Sequence, residues 1–167
     1  MKNTFVYQTE KSIIKLLQIT DPHLFKEKET ALLGVNTQAS FTQVLKEIQQ
    51  ENNTFDIILA TGDLVQDGSD EGYRRFVEMV TPLNKPIFWI PGNHDFQPKM
   101  VEHLNKTPME SAKHLLLGKY WQALLLDSQV YGVPHGQLSQ HQLNLLEEKL
   151  AQHPNRYTLV VLHHHLL

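Results

Sequence analysis

Four times in this sequence an apolar run of strand type stops at a short polar string of acids, amides and imidazoles, and that repetition restricts the fold more than any other feature. Phe88-Trp89-Ile90 stops at Pro91-Gly92-Asn93-His94-Asp95. The run 12–20 stops at Asp21-Pro22-His23, the run 56–61 stops at Gly62-Asp63, and the run 157–162 leads straight into His163-His164-His165. Aromatic and β-branched residues suit a pleated, buried surface, and Pro and Gly end it. In open α/β sheets ligands collect beyond the carboxyl ends of strands, so four such ends read as parts of one site rather than as decorated turns.

Between the runs lie helical stripes. Phe41, Val44, Leu45 and Ile48 recur at i, i+3, i+4 and i+7 behind a cap at Asn36 or Thr37. Tyr73, Phe76, Val77 and Val80 form a second stripe, started by Ser69 and closed by Thr81-Pro82. Strands 12–20, 56–61 and 86–90 alternating with such helices mean βαβ units, a largely parallel sheet and strands buried on both faces. From Lys113 the pattern changes: runs 114–117 and 121–127 flank Gly118-Lys119-Tyr120 as a hairpin, so the sheet gains antiparallel members. Ser139 with Gln142 makes a capping box and Leu138 with Leu143 a hydrophobic staple, for a helix to about residue 152. Pro154 ends it, and 157–162 is expected as a last buried strand.

At 167 residues the chain has one domain's length. A net charge of −3, with no long run of like charge, argues against electrostatically driven binding of nucleic acid or of a membrane surface. There is no cysteine, hence no disulfide and no thiolate metal site, which fits the cytoplasm. The first eleven residues lack an apolar core of signal-peptide type, no span of about eighteen apolar residues occurs, and no G-x-G-x-x-G follows a strand.

The strand ends supply Asp21, His23, Asp63, Asp67, Asn93, His94, Asp95 and His163, all oxygen or nitrogen donors. A set without sulfur suits iron, manganese, zinc or cobalt. Two carboxylates and two or three imidazoles exceed what one ion needs, and a carboxylate can bridge two; Asp63, the middle member, is the natural bridge. An isolated Asp-Pro-His or Gly-Asp is no more than a turn. Gly-Asn-His-Asp says more, because a turn has no use for the imidazole. The three terminal histidines are too few for a usual tag and follow a native apolar run.

D-x-H, G-D, G-N-H-D and a strand-terminal histidine together resemble the signature of the calcineurin-like metallophosphoesterases. LQITDPHLF, ALLGVNT, FDIILATGDLVQDGS, PGNHDFQP and LLLDSQVYGVPHGQLS are similar, stretch by stretch, to the bacterial class III 3',5'-cyclic AMP phosphodiesterases. The resemblance implies an αββα sandwich with a mixed, largely parallel sheet and flanking helices. It implies two divalent ions, Fe, Mn or Zn, one held by Asp21, His23 and Asp63 and the other by Asp63, Asn93 and His163. It also implies hydrolysis of cyclic AMP to 5'-AMP by a metal-held hydroxide, the phosphate lying against His23, Asp63, Asn93, His94 and His163. His94 would stabilise charge or protonate the leaving oxygen, and Asp95 would orient a ligand from behind. Asp67 either touches metal or shapes its loop. His163 is the family position, although strand alternation lets His165 face the same side.

The family's G-H-x-H motif is missing, and His103, His114, His135, His141 and His153 stand in the wrong contexts for it. The chain is therefore expected to be one domain, 1–167, lacking its C-terminal part, exposing apolar surface and weak or inactive alone. Two other readings stay open: a metallophosphoesterase for another diester or monoester, and a nonhydrolytic fragment that binds nucleotide or a partner chain.

Overall fold

A computed structural model describes residues 4–50, 54–106 and 108–165. In chain order its elements are β1 (Thr4–Tyr7), β2 (Leu16–Ile19), β3 (Ala31–Leu32), β4 (Val35–Asn36), α1 (Thr37–Gln50), β5 (Ile57–Ala60), α2 (Asp70–Val80), β6 (Ile87–Trp89), α3 (Gln97–His103), β7 (Met109–Glu110), β8 (His114–Leu117), β9 (Trp121–Leu125), α4 (Gln140–Gln152) and β10 (Tyr157–Val161). Strands β2, β5, β6 and β7 form one parallel sheet in the order β2-β5-β6-β7. A second sheet, β1-β8-β9-β10, joins the expected β8–β9 hairpin to two parallel flankers. The antiparallel members thus belong to a sheet of their own.

Alternation along the strands divides the core. Ile19, Ile58, Ala60, Ile87 and Trp89 pack against Phe41 and Leu45 of α1, Tyr73, Phe76 and Val80 of α2, and Met100 of α3. The opposite face, Ile57, Leu59, Phe88 and Ile90, meets Leu115, Leu117, Ala123 and Leu125 of the second sheet. On that sheet's far side His114 and Gln122 are fully buried and hydrogen-bonded to each other at 3.0 Å, and the His114 ring lies 5.3 Å from His153 at the end of α4. The result is a helix–sheet–sheet–helix sandwich.

Several expectations need correction. The strand foreseen at 12–20 begins only at Leu16, because the Asp56 carboxylate accepts the Lys15 N–H at 2.9 Å together with the Lys11 ammonium and the Tyr7 hydroxyl. Ile13 is accordingly 68% exposed. The strand foreseen as buried at 157–162 is an edge strand paired with β9 alone among the described residues, and Tyr157, Leu159 and Val160 are exposed. The α4 capping box is half made: Ser139 Oγ accepts from Gln142 N–H, but the Gln142 side chain accepts from Asp127 N–H instead of returning to the cap. Leu143, the intended staple partner, is exposed. Asn36 rather than Thr37 caps α1, its Oδ1 accepting from Ala39 N–H at 2.8 Å. Among the described residues no helix is long and apolar enough to cross a membrane.

Candidate metal centre

Backbone hydrogen bonds zip the loop after β2 to the loop after β5: Asp21 N–H to Gly62 O, His23 N–H to Asp63 O and Leu24 N–H to Leu64 O, at 3.0–3.1 Å. Asp21, His23 and Asp63 all adopt positive φ (55°, 45° and 50°), a conformation L-residues avoid unless the surroundings impose it. Three ligand-type residues in that region mark side chains aimed by the fold rather than by local preference.

Two glycines let the loops meet. A Cβ on Gly92 would lie 2.2 Å from Asp63 Oδ1, and one on Gly62 would lie 2.5 Å from His163 Nδ1. With both absent, Asp63 Oδ1 accepts the His94 N–H at 2.8 Å, and Asp63 Oδ2 stands 3.8 Å from His23 Nε2 and 3.6 Å from His163 Nε2. Asp21 Oδ1 is 3.5 Å from His23 Nε2. These gaps are too long for hydrogen bonds. They match donors set around a shared cation, for bonds of about 2.0–2.2 Å to one ion hold their donors roughly 3–3.5 Å apart. His163 Nδ1 donates to the Thr61 carbonyl at 2.8 Å, which leaves the Nε2 lone pair facing Asp63.

Donor atoms of His23, Asp63 and His94 lie within 4.8 Å of one another, and so do those of Asp21, Asp63 and His163. Asp63 is common to both groups. Asn93 lines the same cleft as His94. His94 Nδ1 lies 2.9 Å from the Gln66 side-chain amide nitrogen; that group can only donate, so the ring proton sits on Nε2.

Asp95 is buried and makes its contacts with backbone rather than with an imidazole: it accepts from Leu64, Val65 and Gly92 N–H and from the Tyr73 hydroxyl. Burial pushes its carboxyl up to about 6 against the pull of those four donors. Its work is to tie the Gly-Asp loop to the Gly-Asn-His loop. Asp67 shapes its own loop by accepting from Lys26 and Ser69 N–H. Burial raises the Asp67 carboxyl, and these bonds outweigh it and hold the group below its usual range. His164 turns away to Ser128 Oγ at 2.8 Å, and His165 is exposed beyond β10 and belongs to neither group. Because β10 ends at Val161, strand alternation does not extend to His165.

A third group, Asp70, Glu102 and His103, is an inter-helix bracket. Lys99 and His103 hold Asp70 at 2.8 and 2.9 Å and lower its carboxyl to about 2. The remaining histidines outside the signature are structural or exposed, as expected.

The family profile described as calcineurin-like phosphoesterase matches residues 14–167. The chain belongs to the calcineurin-like phosphoesterases. It is 81% identical over 167 residues to a 3',5'-cyclic adenosine monophosphate phosphodiesterase of Haemophilus influenzae, covering all of this chain and 61% of that protein. Its Escherichia coli K12 counterpart is 53% identical over 92% of the chain and 56% of the relative. A 3',5'-cyclic-nucleotide phosphodiesterase of Nostoc is 36% identical over 93% and 58%. The chain thus spans about three-fifths of the length of these curated relatives.

Within this family the donor chemistry fits divalent ions: oxygen and nitrogen only, two imidazoles facing one carboxylate oxygen, and a buried His23 Nδ1 with no hydrogen-bond partner among the described residues. Sequence reasoning missed Gln66 and Gln129. Gln66 had no signal beyond its place in a strand-end loop. Gln129, whose amide donates to the carbonyls of Gly92 and Asp95, stands 37 and 34 residues from the two positions it holds.

Proposed function

We propose that this chain carries the metal centre of a phosphodiesterase that hydrolyses 3',5'-cyclic AMP to 5'-AMP. The observation that supports it most is Asp63 Oδ2 between imidazole nitrogens delivered by two different sheets. Asp21, His23 and Asp63 would hold one divalent ion, Fe, Mn or Zn, and Asp63, Asn93 and His163 a second. Such ions, when bound, neutralise phosphoryl charge and make water acidic enough to attack near neutral pH. The residues do the rest. His94, with its proton on Nε2 and exposed to the cleft, donates a hydrogen bond that stabilises the charge gathering on the 3'-oxygen as the phosphorus–oxygen bond breaks and water oxygen joins phosphorus; the proton the 3'-oxygen takes up is the one the attacking water releases. Asp95 and Gln129 keep the His94 loop in register with Asp63.

Five protein ligands leave both ions short of a full protein shell, so we infer weak retention and slow turnover by these residues alone. The relatives' printed names supply the substrate class, and the cysteine-free composition suits a cytoplasmic setting. The test measures manganese uptake by plasma emission and 5'-AMP release from cyclic AMP, with a generic aryl phosphodiester alongside. Manganese-dependent release, preference for cyclic AMP and loss of uptake in Asp63→Ala are expected. A wild-type chain that takes up no manganese, or an Asp63→Ala chain that retains as much, overturns the reading.

A further inference from the structure

Beside the metal centre a loop makes an excursion that neither the ligands nor the core requires. The antiparallel bridge Gln129–Gly136 and the Gln137 N–H to Ser128 O bond close its neck. Gln129 fastens the neck to the Gly92 and Asp95 carbonyls at 2.6 and 2.7 Å, and Gly136 lies so close to His164 that a Cβ there would meet the ring at 2.3 Å. At the tip, Val133 N–H bonds Val130 O around Tyr131-Gly132, with Gly132 at φ 81°. This turn holds Tyr131 outward, 74% exposed. The neck is therefore rigid, and what it presents is one aromatic ring.

That ring has a defined neighbourhood. Tyr131 and Phe96 stand 5.9 Å apart, tilted by 53°, and line with Asn93 and His94 a cleft of about 460 Å³. Lys99, also on the cleft, is committed to Asp70 and contributes no free charge there. Asp67 also lines the cleft, so the pull on an anion comes from ions held at Asn93, and a ligand that reaches from them to the rings needs an anionic group at the metal centre and a flat, uncharged face for Tyr131 and Phe96. A nucleoside phosphate has that form.

We infer that Tyr131, backed by Phe96, is the base-binding platform of the site, stacking a purine while the phosphate lies at Asn93 and His94. The inference rests on the phosphodiesterase reading and goes beyond it by naming what selects a nucleotide over a plain phosphoester. Stacking on one aromatic side chain is worth about tenfold in affinity, and a purine offers more area than a pyrimidine.

Calorimetry on the manganese-loaded chain compares 5'-AMP with ribose 5-phosphate, which keeps the phosphate and lacks the base. Wild type is expected to bind 5'-AMP about tenfold more tightly than ribose 5-phosphate. Tyr131→Phe keeps that ratio, and Tyr131→Ala brings it close to one while leaving ribose 5-phosphate unchanged. An Ala variant that keeps the wild-type ratio, or that weakens both ligands equally, overturns the platform. Equal binding of both ligands by wild type overturns the platform alone, whereas binding of neither overturns the phosphodiesterase reading with it.

Discussion

Strands β5 and β10 are alike in sequence and opposite in fate. Ile57-Ile58-Leu59-Ala60 is buried at every position, while in Tyr157-Thr158-Leu159-Val160-Val161 the first, third and fourth residues are exposed. β5 has hydrogen-bonded neighbours on both sides and covered faces; β10 has β9 on one side. An apolar, β-branched run therefore specifies a strand, and only its neighbours specify burial. The metal centre inherits the contrast. Asp63 and His94 follow β5 and β6, which are paired on both sides, whereas His163 comes from an edge and is fixed by its bond to Thr61 and by the bare Gly62.

The sharpest way to break this comparison is to truncate one apolar side chain to alanine in each strand. Leu59→Ala, at a site 4% exposed, is expected to cost roughly 2–5 kcal/mol in urea unfolding. Val160→Ala, 42% exposed, is expected to cost less than about 1 kcal/mol. Equal costs would mean that β10 is covered in solution.

A second experiment probes the loops that the finished sheet carries. Gly92→Ala puts a methyl 2.2 Å from Asp63 Oδ1 and 2.3 Å from the Asp63 backbone nitrogen, which cannot swing away as a side chain could. We expect a loss of roughly 1–3 kcal/mol in stability, with manganese affinity lowered in parallel, since Asp63 must move. Unchanged affinity at reduced stability would show that Asp63 does not depend on that contact.

Much of this was legible in the chain. The three parallel strands, both helical stripes, the hairpin and the clustering of polar strand ends follow from period and punctuation, which are local. What escaped was set by partners distant in sequence. β1 is four residues in a polar stretch, and becomes a strand because Phe5 inserts against Phe88, 4.8 Å away. The start of β2 was decided by Asp56, and the exposure of β10 by which strands lie beside it. At the site, residue types pointed to Asp21, His23, Asp63, His94 and His163, but not to Gln66, whose role lies in one hydrogen bond to His94, or to Gln129, which makes two to a loop that folding brings close.

Lys113 lies on the seam between the two sheets and offers a third, pH-dependent test. Its Nζ sits 3.6 Å from the Trp89 ring centroid and donates to the Trp89 carbonyl, and the Asp127 carboxylate favours its charge. Burial dominates and lowers the amine to about 7. Between about 7 and the ordinary 10.5 the unfolded chain holds a proton that the folded chain lacks, so stability rises with pH across that window. Lys113→Met removes the buried charge and is expected to be more stable than wild type by on the order of 1–2 kcal/mol at pH 6, the advantage vanishing near pH 10. Thermal melts of both proteins across that range decide it, and a gap independent of pH would place the ammonium in water.

The smallest effect separates the helices that cover the two sheets. Ser69 and Ser139 perform the same task, their hydroxyl oxygens accepting from Gly72 and Gln142 N–H at 3.2 and 3.4 Å. Helix α2 buries Tyr73, Phe76 and Val80 completely, while on α4 Lys149 is the one buried residue. A cap on a helix that unfolds with the core subtracts its whole worth from global stability; a cap on a helix that opens by itself subtracts little. Ser69→Ala is therefore expected to cost about 1 kcal/mol in global unfolding. Ser139→Ala should cost a few tenths at most, and show instead as faster amide exchange confined to the first turn of α4. Matching global costs would mean that α4 is as firmly bound to its sheet as α2, and the contrast between the two halves would then stop at β10.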